Sequence, residues 1–118
     1  MAAYYADSSA LVKRYVRETG SSWFLDLADP SSGNLIYTVR ISGAEVVSCF
    51  SRLLRGASIT PADAATALTL FRDDFDHEYA IVEVSEPLVS RAMELSERCA
   101  LRGYDAVQLS AALELQEF

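Results

Sequence analysis

The stretch Ala3-Tyr4-Tyr5-Ala6-Asp7-Ser8-Ser9-Ala10-Leu11-Val12-Lys13-Arg14-Tyr15-Val16 decides the fold. Its first four residues are a short apolar run. Asp7-Ser8-Ser9 closes that run with residues whose side-chain oxygens cap helices. Leu11, Val12, Tyr15 and Val16 then recur at helical spacing with Lys13 and Arg14 between them, the pattern of an amphipathic helix. The stretch therefore reads as a buried strand turning at once into a helix. Gly20 is expected to end that helix, and Ser21-Ser22 to cap a second.

The alternation continues outward. Asp29-Pro30-Ser31-Ser32-Gly33-Asn34 is a loop, and Leu35-Ile36-Tyr37-Thr38-Val39 reads as a second buried strand. Val46, Val47, Phe50, Leu53 and Leu54 stripe a long helix that Gly56 stops. Thr60-Pro61-Ala62-Asp63 starts the next, with a hydroxyl cap, a proline at the first helical position and an acid near the positive helix end. Residues 79–84 read as a third strand. Ser85-Glu86-Pro87 opens a helix striped by Leu88, Ala92, Leu95 and Cys99. After a break at Arg102-Gly103-Tyr104, Asp105 opens a last helix that is apolar almost all round.

The resulting order, β-α-α-β-α-α-β-α-α, predicts an α/β fold: a short parallel sheet with right-handed crossovers and helices on both faces. Sites in such sheets form outside the carboxyl ends of the strands, which singles out Asp7. The 118 residues suit one domain. An apolar share of 51% against 23% charged residues excludes a disordered chain. No run of 18 apolar residues and no basic leader is present, so a soluble, cytoplasmic protein without a membrane role is expected. Cys49 and Cys99 lack metal-ligand spacing and read as core thiols in a reducing compartment. Ten basic residues against seventeen acidic ones give a net charge of −7. That balance excludes a protein that grips nucleic acid by bulk positive charge, but not a nucleic-acid enzyme that recruits metal cations.

Three acids occupy unusual settings. Asp7 follows a strand, Glu45 begins a helix beside the buried Val46, and Asp105 lies between Tyr104 and Ala106-Val107. Each has an ordinary structural role open to it: Asp7 and Asp105 as N-caps, Glu45 as a first-turn acid. Carboxylates gathered at one strand end would repel, and a divalent cation would resolve that repulsion. An all-oxygen donor set suits Mg²⁺ or Mn²⁺ rather than zinc.

At these residues the sequence resembles a known family. The block Tyr4 to Tyr15 is similar to the opening of a PIN domain, more narrowly of the VapC-type toxins of toxin–antitoxin pairs. The resemblance continues through Ala44-Glu45-Val46-Val47-Ser48 and returns at Arg102-Gly103-Tyr104-Asp105-Ala106-Val107-Gln108-Leu109-Ser110-Ala111-Ala112. It implies a three-layer α/β/α PIN-like fold and a Mg²⁺- or Mn²⁺-dependent endoribonuclease, usually a homodimer, silenced by a cognate VapB-type antitoxin. It assigns Asp7, Glu45 and Asp105 to catalysis and metal binding, with Ser9 in support. The family pattern continues into another strand and a Thr-x-Asp-like motif after the last helix. Residues 1–118 are therefore expected to form a single PIN-like domain shortened at its C-terminus, lacking that strand and a fourth acid.

Arg14 and Arg40 are the arginines expected to attract RNA phosphate, ahead of Arg17, Arg52 and Arg55. Trp23, Phe24, Tyr4 and Tyr5 are expected in the core. His77 reads as a solvated residue at a helix end, and the acids at 73, 74, 76 and 78 as a solvated face. Two other classes compete: a catalytically inactive PIN-like module that only binds a partner, and a phospho-accepting receiver domain. The receiver needs an acid pair at strand one and a late lysine, whereas the only lysine here is Lys13.

Overall fold

The strand Leu35–Val39 (β2) is the centre of the molecule, with Thr38 and Val39 wholly buried. On one side it pairs with Ala3–Tyr5 (β1), on the other with Ala80–Val82 (β3), both parallel. The computed structural model describes residues 2–116. In chain order, β1 is followed by helices α1 (Ser8–Tyr15) and α2 (Ser21–Ala28), a 3-10 turn at Pro30–Ser32, and β2. Helices α3 (Ser42–Arg55) and α4 (Pro61–His77) precede β3, and α5 (Glu86–Cys99) and α6 (Gly103–Leu115) follow it. This is the predicted order, and β2 has the predicted bounds.

Strand alternation distributes the layers. Ala6, Ile36 and Ile81 join the core built by α1 to α4. Tyr5, Val39 and Val82 point the other way, onto Leu88 of α5 and Val107 and Ala111 of α6. The result is the three-layer α/β/α sandwich. Caps fix several helix starts as expected. The Thr60 hydroxyl accepts from Asp63 N at 3.1 Å with Pro61 next in line. The Ser85 hydroxyl accepts from Leu88 N at 3.2 Å.

Phe71 anchors the larger core. It is 1% exposed, meets Tyr15 nearly perpendicular at 5.4 Å and Phe50 at 6.1 Å, and lies tilted against Phe75 and Tyr79. The hydroxyls of Tyr15 and Tyr79 bond one another, and Tyr15 also donates to Asp74. Burial pushes both phenol pKa values up, so they remain protonated donors.

Several expectations are corrected. Strand β1 is not buried: Ala3 and Tyr4 are exposed, because among the described residues β1 has a neighbour on one side only. Helix α1 stops at Tyr15, not Gly20. Val16 turns to extended backbone there, and Gly20 instead takes the left-handed conformation (φ 91°) at the start of α2. Trp23 is 66% exposed while its neighbour Phe24 is buried. Cys99 is exposed at the end of α5, and Cys49 is half-buried. Asp74 is not a solvated acid, since Tyr15 and Arg14 pair with it. His77 is the exposed last residue of α4, as predicted, with Nδ1 against Asp73. Among the described residues no helix is long and apolar enough to cross a membrane.

Helix α5 ends on Ala100 in the left-handed region (φ 53°, ψ 36°), where a Cβ is strained. Ala100 is exposed, so no packing is lost on its removal. Ala100→Gly is expected to stabilise the fold by about 0.5–1 kcal/mol, the strain relief exceeding the entropy that glycine adds to the unfolded chain. The midpoint of urea unfolding should rise; an unchanged or lower midpoint contradicts the strain argument.

Candidate active site

The three elements that carry the predicted acids meet beyond the carboxyl end of β1. Asp7 is the N-cap of α1. Its Oδ1 accepts from Ala10 N at 3.0 Å and from the Ser9 hydroxyl at 2.9 Å. The ordinary capping role is thus filled, and Oδ2 is left out of it. Glu45 sits in the first turn of α3, whose N-cap Ile41 offers no side-chain acceptor. A carboxylate there is favoured by the unmet N–H groups of that turn. Asp105 lies in the first turn of α6 but is not its cap, which is Arg102. It is exposed and makes no hydrogen bond or ion pair among the described residues.

Glu45 is the best-held of the three. Ser8 donates its hydroxyl to Oε2 at 3.2 Å, and Gln108 donates Nε2 to Oε1 at 2.9 Å. Both donors are neutral, and no lysine or arginine pairs with Glu45 among the described residues. A half-buried carboxylate with no counter-charge suits a site that accepts a cation from solution. Asp7 lies close enough that it and Glu45 both act on the Tyr5 phenol. Burial is the main cause of that phenol's raised pKa, and the two negative charges push the same way. The phenol stays protonated and donates to Gln108 Oε1 at 2.5 Å.

A cleft of about 480 Å³ opens over these groups. Ser8, Ser9 and Val12 of α1 line it with Ala44, Glu45, Ser48, Cys49 and Arg52 of α3 and Tyr104 of α6. Ser9 stands where the sequence placed it, beside Asp7 on the cleft wall. Asp7 and Asp105 flank the cleft rather than line it. Among the described residues no three His, Cys, Asp or Glu side chains come close enough to share one ion. The donor chemistry still fits a hard cation. Mg²⁺ is commonly met by one or two carboxylates and completes its shell with water and substrate oxygens.

The two arginines singled out for RNA are used elsewhere. Arg14 bonds the Tyr79 hydroxyl at 3.1 Å, pairs with Asp74 at 3.5 Å, and lies over the rings of Tyr15 and Tyr79. It closes the aromatic core instead of facing the cleft. Arg40 forks onto Glu83 at 2.6 and 2.9 Å and covers the Phe75 ring. Arg52 is the arginine in the cleft, and its guanidinium has no partner among the described residues. Its position seven residues, two helical turns, after Glu45 puts both on one side of α3. That spacing is the signal that would have ranked it ahead of Arg14 and Arg40. Tyr104 and Gln108 were missed, although Gln108 is a polar residue three positions after Asp105 in an otherwise apolar helix.

A parallel α/β/α sandwich with carboxylates beyond its strand ends is the architecture that the resemblance to a PIN domain implies. The chain is 34% identical over 113 residues to Ribonuclease VapC45 of Mycobacterium tuberculosis (strain CDC 1551 / Oshkosh), covering 96% of this chain and 76% of the relative. The same figures relate it to Ribonuclease VapC49 of Mycobacterium tuberculosis (strain ATCC 25618 / H37Rv). The fold is similar to the crystal structure of VapBC2 from Rickettsia felis bound to a DNA fragment from their promoter. The TM-score is 0.63 at 17% identity, over 98% of this chain and 83% of that one. No protein-family model matches the chain. The chain belongs to the VapC family of PIN-domain toxins.

Proposed function

We propose that this protein is a metal-dependent endoribonuclease, the toxin of a VapBC-type toxin–antitoxin pair, hydrolysing phosphodiester bonds of RNA at the Glu45 cleft. The observation that carries the reading is Glu45 itself: a carboxylate fixed by two neutral donors, without a cationic partner among the described residues, in a cleft flanked by Asp7 and Asp105. In this reading Glu45 would hold Mg²⁺ or Mn²⁺, with Asp7 and Asp105 at the flanks acting through its water shell, and the ion when bound neutralises the scissile phosphate and acidifies its own water. Arg52 offers a guanidinium to a neighbouring phosphate. The exposed Tyr104 ring offers a stacking face for an unpaired base. Ser9 steadies the Asp7 carboxylate. The partners in this reading are an RNA substrate, a VapB-type antitoxin and a second copy of the chain, in the cytoplasm. The acidic surface suits a basic antitoxin segment.

The second reading is a module that binds its partner without catalysis, and the absence of a ready three-carboxylate group among the described residues favours it. One experiment decides between them. The purified protein is incubated with a labelled single-stranded RNA in Mn²⁺, in Mg²⁺ and in excess chelator. Cleavage in either metal that stops on chelation is expected. Cleavage that persists in chelator overturns the metal role, and no cleavage of any RNA offered favours the binding module.

A further inference from the structure

Gln108 has a more specific setting than a buried amide in a helix requires. It is 9% exposed and lies on α6, three residues after Asp105 and so on the same side of the helix. Its Oε1 accepts from the Tyr5 hydroxyl, and its Nε2 donates to Glu45 Oε1 and Ser42 Oγ, each at 2.9 Å. Ser42 is in turn held by the Thr38 hydroxyl of β2 at 2.9 Å. An amide has one acceptor oxygen and two N–H donors, and all are matched here. The reverse orientation would turn the amide oxygen onto the Glu45 carboxylate, acceptor against acceptor. Only one orientation therefore satisfies the group.

We propose that Gln108 is a positioning residue. Its amide, fixed from behind by Tyr5 and Ser42, sets the Glu45 carboxylate and holds α6, which carries Asp105, at its distance from α3. Tyr5 stands two residues before Asp7, so this one side chain ties together the three segments that supply the acids. The inference rests on the metal-site reading given under Proposed function. It goes beyond that reading by assigning the spacing of the carboxylates to an amide that binds neither metal nor RNA.

Outer groups that orient metal ligands change metal affinity by about 10–100-fold when removed. The test is a titration of the purified protein with MnCl₂, followed by calorimetry and by the electron paramagnetic resonance signal of free Mn²⁺. It is run on the wild type, Gln108→Met, Tyr5→Phe and Glu45→Gln, with circular dichroism and melting curves for each. Gln108→Met keeps volume and removes both ends of the amide, and is expected to weaken Mn²⁺ binding about tenfold. Its RNA cleavage should lose kcat with little change in KM. Tyr5→Phe keeps the amide and frees it from its anchor, and is expected to weaken Mn²⁺ binding about threefold. A merely structural Gln108 would lower the melting temperature and leave the affinity of the folded protein unchanged, and that result overturns the proposal. Should Gln108→Met not fold, an unchanged affinity in Tyr5→Phe overturns it equally. Glu45→Gln separates the two levels. If that variant binds as the wild type does, or if the wild type takes up no Mn²⁺, the metal-site reading itself fails. If Glu45→Gln binds weakly and the Gln108 and Tyr5 variants bind normally, only the positioning role fails.

Discussion

Asp7→Asn is expected to leave a folded protein that cleaves RNA at least about 100-fold more slowly, the scale seen when one electrostatic partner of a transition state is removed. The substitution is chosen to divide the two roles of this residue. Asparagine caps helices as well as aspartate does, and its Oδ1 can still accept from Ala10 N and from Ser9. What disappears is the negative charge beyond β1, opposite Glu45. Single-turnover cleavage in saturating Mn²⁺, beside a melting curve, checks both halves. Equal cleavage by the two proteins would reduce Asp7 to a helix cap. A melting temperature lowered by many degrees would mean that the charge itself supports the fold.

The largest expected loss of stability lies elsewhere. Phe71→Ala should cost about 3–5 kcal/mol, the range for removing a fully buried aromatic side chain. Phe71 is the hub on which Tyr15, Phe50, Phe75 and Tyr79 converge, from α1, α3, α4 and the start of the third strand region. A ring missing there leaves a cavity bounded by stiff neighbours that cannot close over it. The loss is read as a shift of the urea midpoint at constant slope. Phe71→Leu, which refills most of the space, should recover more than half of it. A loss under about 1 kcal/mol for the alanine variant would show that the cluster repacks freely.

The physical origin of what the sequence conveyed is instructive. Local signals carried well: Thr60-Pro61 and Ser85-Pro87 are complete helix starts within four residues, and β2 follows the Gly33-Asn34 turn and ends before Arg40. Exposure of β1 was not legible, because an apolar tetrapeptide reads the same at the middle of a sheet and at its edge. Arg14 shows the same limit. Its position beside the site segment in sequence suggested phosphate, while its side chain reaches 65 residues along the chain to Tyr79. The three acids could be singled out one by one through their settings. Gln108, which bonds Glu45, could not be, since a glutamine in an alanine-rich helix interrupts the apolar pattern without announcing a partner. Only the fold brings Tyr5 and Ser42 to its two ends.

The Tyr5–Gln108 bond joins residues 103 positions apart, and that span bears on how the protein is made. A nascent chain emerging from the ribosome displays Asp7 early and Glu45 midway. Tyr104, Asp105 and Gln108 arrive only with α6, after both crossovers of the sheet are in place. Contacts of such long separation are the last to be rewarded in folding. The cleft is therefore completed only once α6 has been made, and a fragment released from a stalled ribosome before α6 carries carboxylates without the wall that spaces them. For a chain proposed to act on RNA, this order withholds the working site until α6 has emerged.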